Sequence, residues 1–387
     1  MSGSLVPRSS RRPRVLMIGL RGFPGVQGGV ETHAEHICAG LSRRGWEVTA
    51  AVRTPYMRHM SRDSWNGVRY LRIWSPKTKA FEALTHSLLA VLVAVFTRPD
   101  ILHIQAIGPA IWTPIARLAG LRVVVTHHGA HYEWDKWSPL AKSMLRIGEA
   151  LGMRFANQRI AISESIRRLV VDKYALPTTR IPNGVNPPES GVPDDLIRGF
   201  GLEPGRYFLL VGRLVAEKRH HDLIDAFSTL CLPEWKVAIV GSVDHPDDYS
   251  EKLQAIAKSN PSIVLTGFQS GENLAQLYAH AAAFVLPSSH EGLPIALLEA
   301  LSHGTRALAS DIPGNREIGL SDACYFPCGD VHTLASKLAS IAATPASPTE
   351  RDQLRRNVAK TFSWDRIADA TDAVYRSALR HASRRTV

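Results

Sequence analysis

Glu291 and Glu299 stand eight positions apart, and their residue type and setting suit chemistry. An apolar run, Ala281 to Leu286, precedes them and reads as a buried strand ending at Pro287. A helix should then open with Pro294 in its first turn, where a missing N–H costs nothing. Ile295, Leu297, Leu298 and Leu301 give that helix a buried side. Glu291 would lie in the loop before it and Glu299 one to two turns in, so both can face one crevice at different depths. A carboxylate only accepts hydrogen bonds and has a fork of oxygens, which suits the two hydroxyls of a ribose. Backbone N–H groups from Gly292 and Leu293 to Ile295 would attract phosphate, although Pro294 donates none. Together these are the needs of a sugar nucleotide, and a strand followed by a helix start is where an open α/β sheet binds one. Spacing alone fits two solvated glutamates on an amphipathic helix equally well.

Two cations extend the pattern. In VGRLVAEK, Arg213 follows an apolar strand and Lys218 precedes the next helix. Arginine grips a diphosphate by forked hydrogen bonds and lysine neutralises it as a point charge. The plain alternative is a solvated helix start with a salt bridge to Glu217. Near the N-terminus, Arg14 to Leu20 reads as a strand buried on both faces and leads into a turn with Gly22, Gly25, Gly28 and Gly29. Gly28 and Gly29 allow close backbone approach at a helix start that favours phosphate. These glycines do not form G-x-G-x-x-G, and the second strand ends in Arg53-Thr54 rather than an acidic residue, which argues against a dinucleotide-binding dehydrogenase. His127, His128 and His131 fall on the loop after another apolar strand, but no fourth ligand and no H-E-x-x-H accompanies them, so a metal site is not expected.

The elements that must position these groups alternate. Strands are predicted at Arg14–Leu20, Glu47–Val52, Val68–Ile73, Ile101–Ile104, Leu121–Thr126 and Arg159–Ile162. A second series follows at Tyr207–Val211, Lys236–Val240, Ile263–Leu265 and Ala283–Leu286, with a further apolar strand around Ala309-Ser310. Helices are predicted after Gly29 to about Arg44, then at Glu82–Phe96, Ala110–Ala119, Pro139–Phe155, Glu164–Lys173 and, at the end, Trp364–Leu379. This is an α/β protein with two doubly wound sheets. The break at Pro182-Asn183-Gly184 and the prolines to Pro193 read as the join. Asp247-Asp248 reads as a helix cap rather than a D-x-D metal site.

Three strings in order now carry a resemblance: Pro-Ser-Ser-x-Glu-Gly-Leu-Pro with Glu299 at the eighth position and Gly304 beyond, the G-R-L-x-x-x-K of Gly212 to Lys218, and the segment from Thr126 to Ile162. The chain resembles the retaining GT-B glycosyltransferases of family 4, and Thr126 to Ile162 resembles a subgroup that includes bacterial rhamnosyltransferases. The resemblance implies two Rossmann-like domains facing a central cleft. Residues 11–182 would form the acceptor-binding domain, 183–204 a linker and 205–362 the nucleotide-sugar-binding domain. Residues 363–387 would form a helix crossing back to the first domain. Residues 1–10, with Leu-Val-Pro-Arg, resemble a protease-site remnant or an unstructured N-terminus.

The resemblance also implies roles. Glu299 would hold the ribose and Glu291 the donor sugar. His128, by register rather than His127, would hydrogen-bond the sugar near the reacting carbon. Arg213, Lys218 and backbone N–H groups near Gly28, Gly29, Gly292 and Leu293 would stabilise the departing diphosphate. Trp134 and Trp137 would stack on the acceptor or serve as buried anchors. The implied enzyme is a metal-independent, hexosyltransferase-type glycosyltransferase without a cofactor. Its donor would be a nucleotide-diphosphate sugar and its acceptor a saccharide or lipid-linked saccharide, as in bacterial cell-surface polysaccharide synthesis. The alternatives are a nucleotide-sugar 2-epimerase on the same fold and a non-catalytic two-lobed binding protein.

Length and composition agree. The 387 residues are ample for two domains, and 45% apolar content is ordinary for a globular protein. A net charge of +11 raises the question of nucleic acid, but the basic residues are spread and no aromatic-interleaved basic run occurs. Anionic substrates or the anionic cytoplasmic leaflet account for the charge. The four cysteines are scattered as buried thiols of a reducing compartment would be. No secretory signal is evident. The expected location is therefore cytoplasmic, with possible contact at the inner membrane face.

Overall fold

The computed structural model describes residues 11–58, 60–76, 81–133, 137–186 and 191–383. Among the described residues fourteen strands form two sheets. The first contains β1 (Arg14–Ile18), β2 (Glu47–Arg53), β3 (Ser64–Trp65), β4 (Val68–Ile73), β5 (Ile101–Gln105), β6 (Val123–His127), β7 (Gln158–Ala161) and β8 (Thr179–Arg180). Their order across the sheet is β3-β4-β2-β1-β5-β6-β7-β8. The second contains β9 (Tyr207–Val211), β10 (Lys236–Val240), β11 (Ile263–Gly267), β12 (Ala283–Leu286), β13 (Ala307–Ser310) and β14 (Tyr325–Phe326), in the order β11-β10-β9-β12-β13-β14. Every pairing is parallel except the short β3–β4 edge. The architecture is the α/β GT-B fold.

Parallel strands covered on both faces need apolar side chains at consecutive positions. RVLMI of β1, ILHIQ of β5 and AFVL of β12 supply them, and almost all are buried. Val15 of β1 sits between Val48 and Ile101, so the register there is aliphatic on both sides. Helices cover both faces. One face of the first sheet is covered by Glu82–Thr97, Thr113–Leu118 and Pro139–Phe155, whose inward Ala90, Val91, Ala94, Ala116 and Met153 join the core. The other is covered by Gly29–Arg43 together with the closing helix Trp364–Ser383.

That closing helix crosses back to the first sheet. Trp46 donates to the Asp372 carboxylate at 2.7 Å, Arg44 binds Asp369 at 2.7 Å, and the Tyr375 ring packs edge-on to Trp46 at 5.0 Å. Ile295 lies in the same apolar cluster as Trp364 and Ile181, so the halves share packing at the crossing.

The structure departs from the sequence reading in three places. Pro294 lies just outside its helix, in extended backbone at φ −74° and ψ 111°, and the helix runs Ile295–Ser302. The helix expected at 110–119 is split into a 3-10 turn, Pro109–Trp112, and a short helix, Thr113–Leu118, with Pro114 in its first turn. The stretch expected to be a plain join carries the short helix Asp195–Gly199 and buries Asn183 and Val185. Residues 1–10, 187–190, 384–387 and Trp134 lie outside the described residues.

Candidate functional site

The carboxyl-terminal edges of the two sheets face each other, and the residues singled out by type and spacing gather on the loops between them. The glycine turn after β1 comes first. Gly28 precedes the helix Gly29–Arg43 at φ 151°, a conformation that only glycine adopts easily. A Cβ there would fall 2.2 Å from Glu31 Oε2 and 2.5 Å from Arg21 Nη2. Arg21 is buried against Glu31, with Nε–Oε1 and Nη2–Oε2 both at 3.1 Å, and it reaches across to Asp244 of the second half. Burial alone would raise the Glu31 pKa, but the Arg21 charge and hydrogen bonds outweigh it and hold the carboxyl below its ordinary range. Gln27 Oε1 accepts from the Ser242 backbone at 2.9 Å and hydroxyl at 2.8 Å. The phosphate-suited turn is thereby latched to the opposite domain.

Arg213 lies two residues past β9, and Lys218 ends the 3-10 turn Ala216–Lys218. Among the described residues the Arg213 side chain makes no hydrogen bond and no ion pair. Desolvation first, and the neighbouring charge of Arg21 second, lower its pKa below that of a free guanidinium. A half-buried cation without an ion-pair partner attracts an anion. Lys218 is different. Its Nζ lies 2.5 Å from Glu291 Oε1, so the pairing suggested with Glu217 is replaced by one across the two loops. The Glu217 carbonyl instead accepts from the Ser289 backbone at 2.9 Å, which brings the lysine and glutamate loops together.

Glu299 is the fifth residue of its helix and accepts from Tyr278 Oη at 2.9 Å. Desolvation pushes its pKa up to about 7; the Tyr278 hydrogen bond opposes this and the like charge of Glu35 adds to it. Glu35, on the helix Gly29–Arg43, is itself raised to about 7 by desolvation. The two carboxyls, on opposite domains, are thus near enough for the charge of one to act on the other.

Gly292 and Gly129 let the two loops cross closely. A Cβ on Gly292 would lie 2.2 Å from the His128 carbonyl oxygen, so any larger residue would force the loops apart. Leu293 is buried, and its carbonyl accepts from Asn183 Nδ2 at 2.7 Å. Asn183 Oδ1 then accepts from His33 Nδ1 at 2.9 Å, and the His33 ring meets the His128 ring edge-on at 4.9 Å. His128 Nε2 lies 2.7 Å from Gln105 Oε1. That oxygen only accepts, so the proton of neutral His128 is on Nε2 and Nδ1 keeps its lone pair. Burial first, then the neighbouring histidines, keep His128 neutral by lowering its pKa well below the ordinary value.

His127 faces elsewhere. Its Nδ1 accepts from the Gly129 backbone at 3.1 Å, and its Nε2 points to Glu149 at 3.5 Å, a carboxylate that also binds Lys173 and Tyr174 at 2.6 Å each. The three histidines do not converge, and among the described residues no group of three histidine, cysteine or acidic side chains could hold a metal ion. Trp137 is partly buried just before the helix Pro139–Phe155, and Trp134 is outside the described residues. Asp247 caps the helix Asp248–Ser259 in a capping box with Ser250.

Sequence reasoning missed Arg21, His33, Gln105, Asn183 and Tyr278. His33 had a usable signal, since it lies five residues beyond Gly28 on the helix that opens at the glycine turn. Gln105 and Tyr278 carried none, Gln105 closing a short buried strand and Tyr278 lying on a helix of mixed polarity.

Two Rossmann-like domains with a crossing terminal helix, and a cleft bearing two glutamates, an arginine and a lysine, define the GT-B class. A model described as Glycosyltransferase Family 4 matches residues 27–189, and one described as Glycosyl transferases group 1 matches 196–361. The chain belongs with the group 1, family 4 glycosyltransferases. Similar proteins include a glycogen synthase of Mycobacterium tuberculosis, 26% identical over 413 residues with 95% of each chain covered. Another is an Escherichia coli UDP-Gal:alpha-D-GlcNAc-diphosphoundecaprenol alpha-1,3-galactosyltransferase, 28% identical over 56% of this chain and 59% of that one. Among solved structures, sucrose-phosphate synthase of Thermosynechococcus elongatus superposes with a TM-score of 0.80 at 21% identity, covering 96% of this chain and all of that one. Anabaena HepE in complex with UDP-glucose gives 0.76 at 18% identity, covering 94% and 99%. At these identities the structural likeness speaks for the fold alone.

Proposed function

We propose that the protein transfers a sugar, with retention at the anomeric carbon, from a nucleotide-diphosphate sugar to a saccharide or lipid-linked saccharide acceptor. The observation that carries this reading is Arg213, a half-buried guanidinium without a hydrogen-bonded or ion-pair partner among the described residues, just past β9 and beside Lys218. A departing diphosphate supplies the charge that such a group lacks. The bond from the sugar carbon to the phosphate oxygen breaks, and the acceptor oxygen bonds to that carbon. The acceptor proton passes to the departing phosphate oxygen. Preorganised cations in a cleft of reduced polarity stabilise that charge as it develops.

In this reading Glu299 accepts from the ribose hydroxyls, and Glu291 exchanges part of its hold on Lys218 for the donor sugar. His128 offers Nδ1 as an acceptor to a sugar hydroxyl near the reacting carbon. Gly28, Gly29, Gly292 and Leu293 give the phosphates close backbone approach, and Trp134 and Trp137 border the acceptor. Residues 11–182 serve the acceptor and 205–362 the donor. Side chains supply the positive charge, so neither metal nor cofactor takes part. A role in bacterial cell-surface polysaccharide synthesis, in the manner of rhamnosyltransferase-like relatives, fits the galactosyltransferase likeness. The test is a screen of nucleotide sugars, followed by NMR of the product's anomeric carbon and an assay after exhaustive chelation. Retained configuration and undiminished activity are expected. Inversion, or a loss that Mg²⁺ restores, overturns the mechanism.

A further inference from the structure

Among the described residues ten large apolar side chains are exposed, and only Phe268 of these belongs to the second domain. Seven of the other nine lie on the three helices that cover one face of the first sheet. Leu92 and Phe96 are on Glu82–Thr97, Ile115 and Leu118 on Thr113–Leu118, and Leu140, Ile147 and Phe155 on Pro139–Phe155. Phe96 is 85%, Leu118 88% and Leu140 73% exposed, values that leave these side chains almost wholly in water. Leu140 and Ile147 are seven positions apart, two helical turns, and so share one outward line. Scattered surface apolar residues need no explanation, but a concentration on one layer does.

The charges of the same layer are one-sided. The only carboxylates of the three helices, Glu82 and Glu149, are buried, the first on Arg53 at 3.3 Å and the second on Lys173; the adjoining helix Glu164–Tyr174 adds Glu164, paired with Arg167, and Asp172. Exposed arginines border the apolar residues. Arg98 donates to the Ala119 carbonyl at 2.9 Å, Arg146 lies over the Tyr132 ring and Arg154 over the Tyr174 ring, at 5.2 and 5.3 Å. A second copy of this chain docked about a twofold axis would bring this cationic face against itself.

We infer that this helical face of the first domain rests on an anionic lipid bilayer. The apolar side chains enter the interface while the arginines meet acidic headgroups, the two terms that together hold a protein on a membrane surface. No described helix is long and apolar enough to cross a membrane, so the contact is peripheral. The helix Pro139–Phe155 starts on the side of the sheet where β6 ends, which is the cleft side. A lipid-linked acceptor, held by its tail in the bilayer, would thus present its sugar to the cleft. That use of the face rests on the proposed function; the binding itself does not.

Flotation with phosphatidylcholine vesicles, plain or with about one-third phosphatidylglycerol, tests the inference. Binding is expected only with phosphatidylglycerol and should weaken as salt rises. Phe96→Ser with Leu118→Ser, and separately Arg146→Glu with Arg154→Glu, should each lower the partition coefficient about tenfold or more. Equal binding to both vesicles, unchanged binding in either variant pair, or no binding overturns it. So does a wild-type dimer that the serine pair converts to monomer without vesicle binding. Nucleoside diphosphate binding by calorimetry, run on the same preparations, separates the two readings. Its retention with failed vesicle binding removes the membrane face alone, and its absence removes the transferase reading alone.

Discussion

Asn183 donates to the Leu293 carbonyl at 2.7 Å, joining the segment that leaves the first sheet to the loop between the two glutamates. The other end of the same amide accepts from His33, whose ring meets His128. One buried side chain therefore ties both domains to the candidate sugar site.

Replacing Asn183 by leucine leaves a buried N–H of His33 and a buried carbonyl of Leu293 without partners. Each orphan costs about 1–3 kcal/mol, so a loss of about 2–6 kcal/mol is expected in urea unfolding. The donor KM should rise as well, because the Leu293 loop loses its anchor. Unchanged stability would show that water or a neighbour satisfies both groups.

For Arg213→Ala, turnover should fall by about 10²–10³, the usual cost of losing one preorganised donor. The side chain has no partner among the described residues, so the melting temperature should hold. A variant with near-normal turnover would remove Arg213 from the site.

The two glutamates should separate kinetically. Holding a ribose is ground-state binding and shows in KM, whereas contact with the reacting sugar shows in kcat. Glu299→Gln should raise the donor KM more than it lowers kcat, and Glu291→Gln the reverse. The free-protein pKa of Glu299, near 7, adds a pH signature. A carboxyl with a pKa of about 7 is half protonated at neutrality, and each proton removes one acceptor oxygen. Donor affinity should therefore weaken from about pH 7 downward, by up to about tenfold per unit, and Glu299→Gln should flatten that slope. An affinity constant from pH 8 to pH 5.5 in the wild type would contradict the ribose assignment.

Gln105 fixes the proton of His128 on Nε2. In Gln105→Leu that restraint is gone and the histidine can present N–H instead of a lone pair at Nδ1. Turnover should fall about tenfold or more, with donor affinity by calorimetry little changed. Equal turnover would mean that His128 does not act through Nδ1.

Much of this was legible in the sequence. β9, β10 and β12 have the expected bounds because each is a continuous apolar run closed by glycine, proline or serine. Strands of two residues, such as β8 and β14, have no periodicity to detect. The site divides in the same way. Glu291 and Glu299 share a local string, and so do Arg213 and Lys218. The Lys218–Glu291 pair spans 73 positions and the Asn183–Leu293 bond 110, distances at which no local pattern exists. Asn183 in particular read only as a break in periodicity, since a turn-forming asparagine and a buried amide bridge look alike in one dimension.

The crossing helix sets the order in which the chain can be finished. Asp369 and Asp372 lie 325 and 326 positions beyond their partners Arg44 and Trp46. At about 5–20 residues per second, a ribosome takes roughly 15–65 s to cover that interval. Throughout it, Ile37, Leu41 and Trp46, which end up in one cluster with Tyr375, await their cover. The first domain therefore cannot reach its final form ahead of the second. Its newborn apolar flank stays uncovered until the crossing helix has been made.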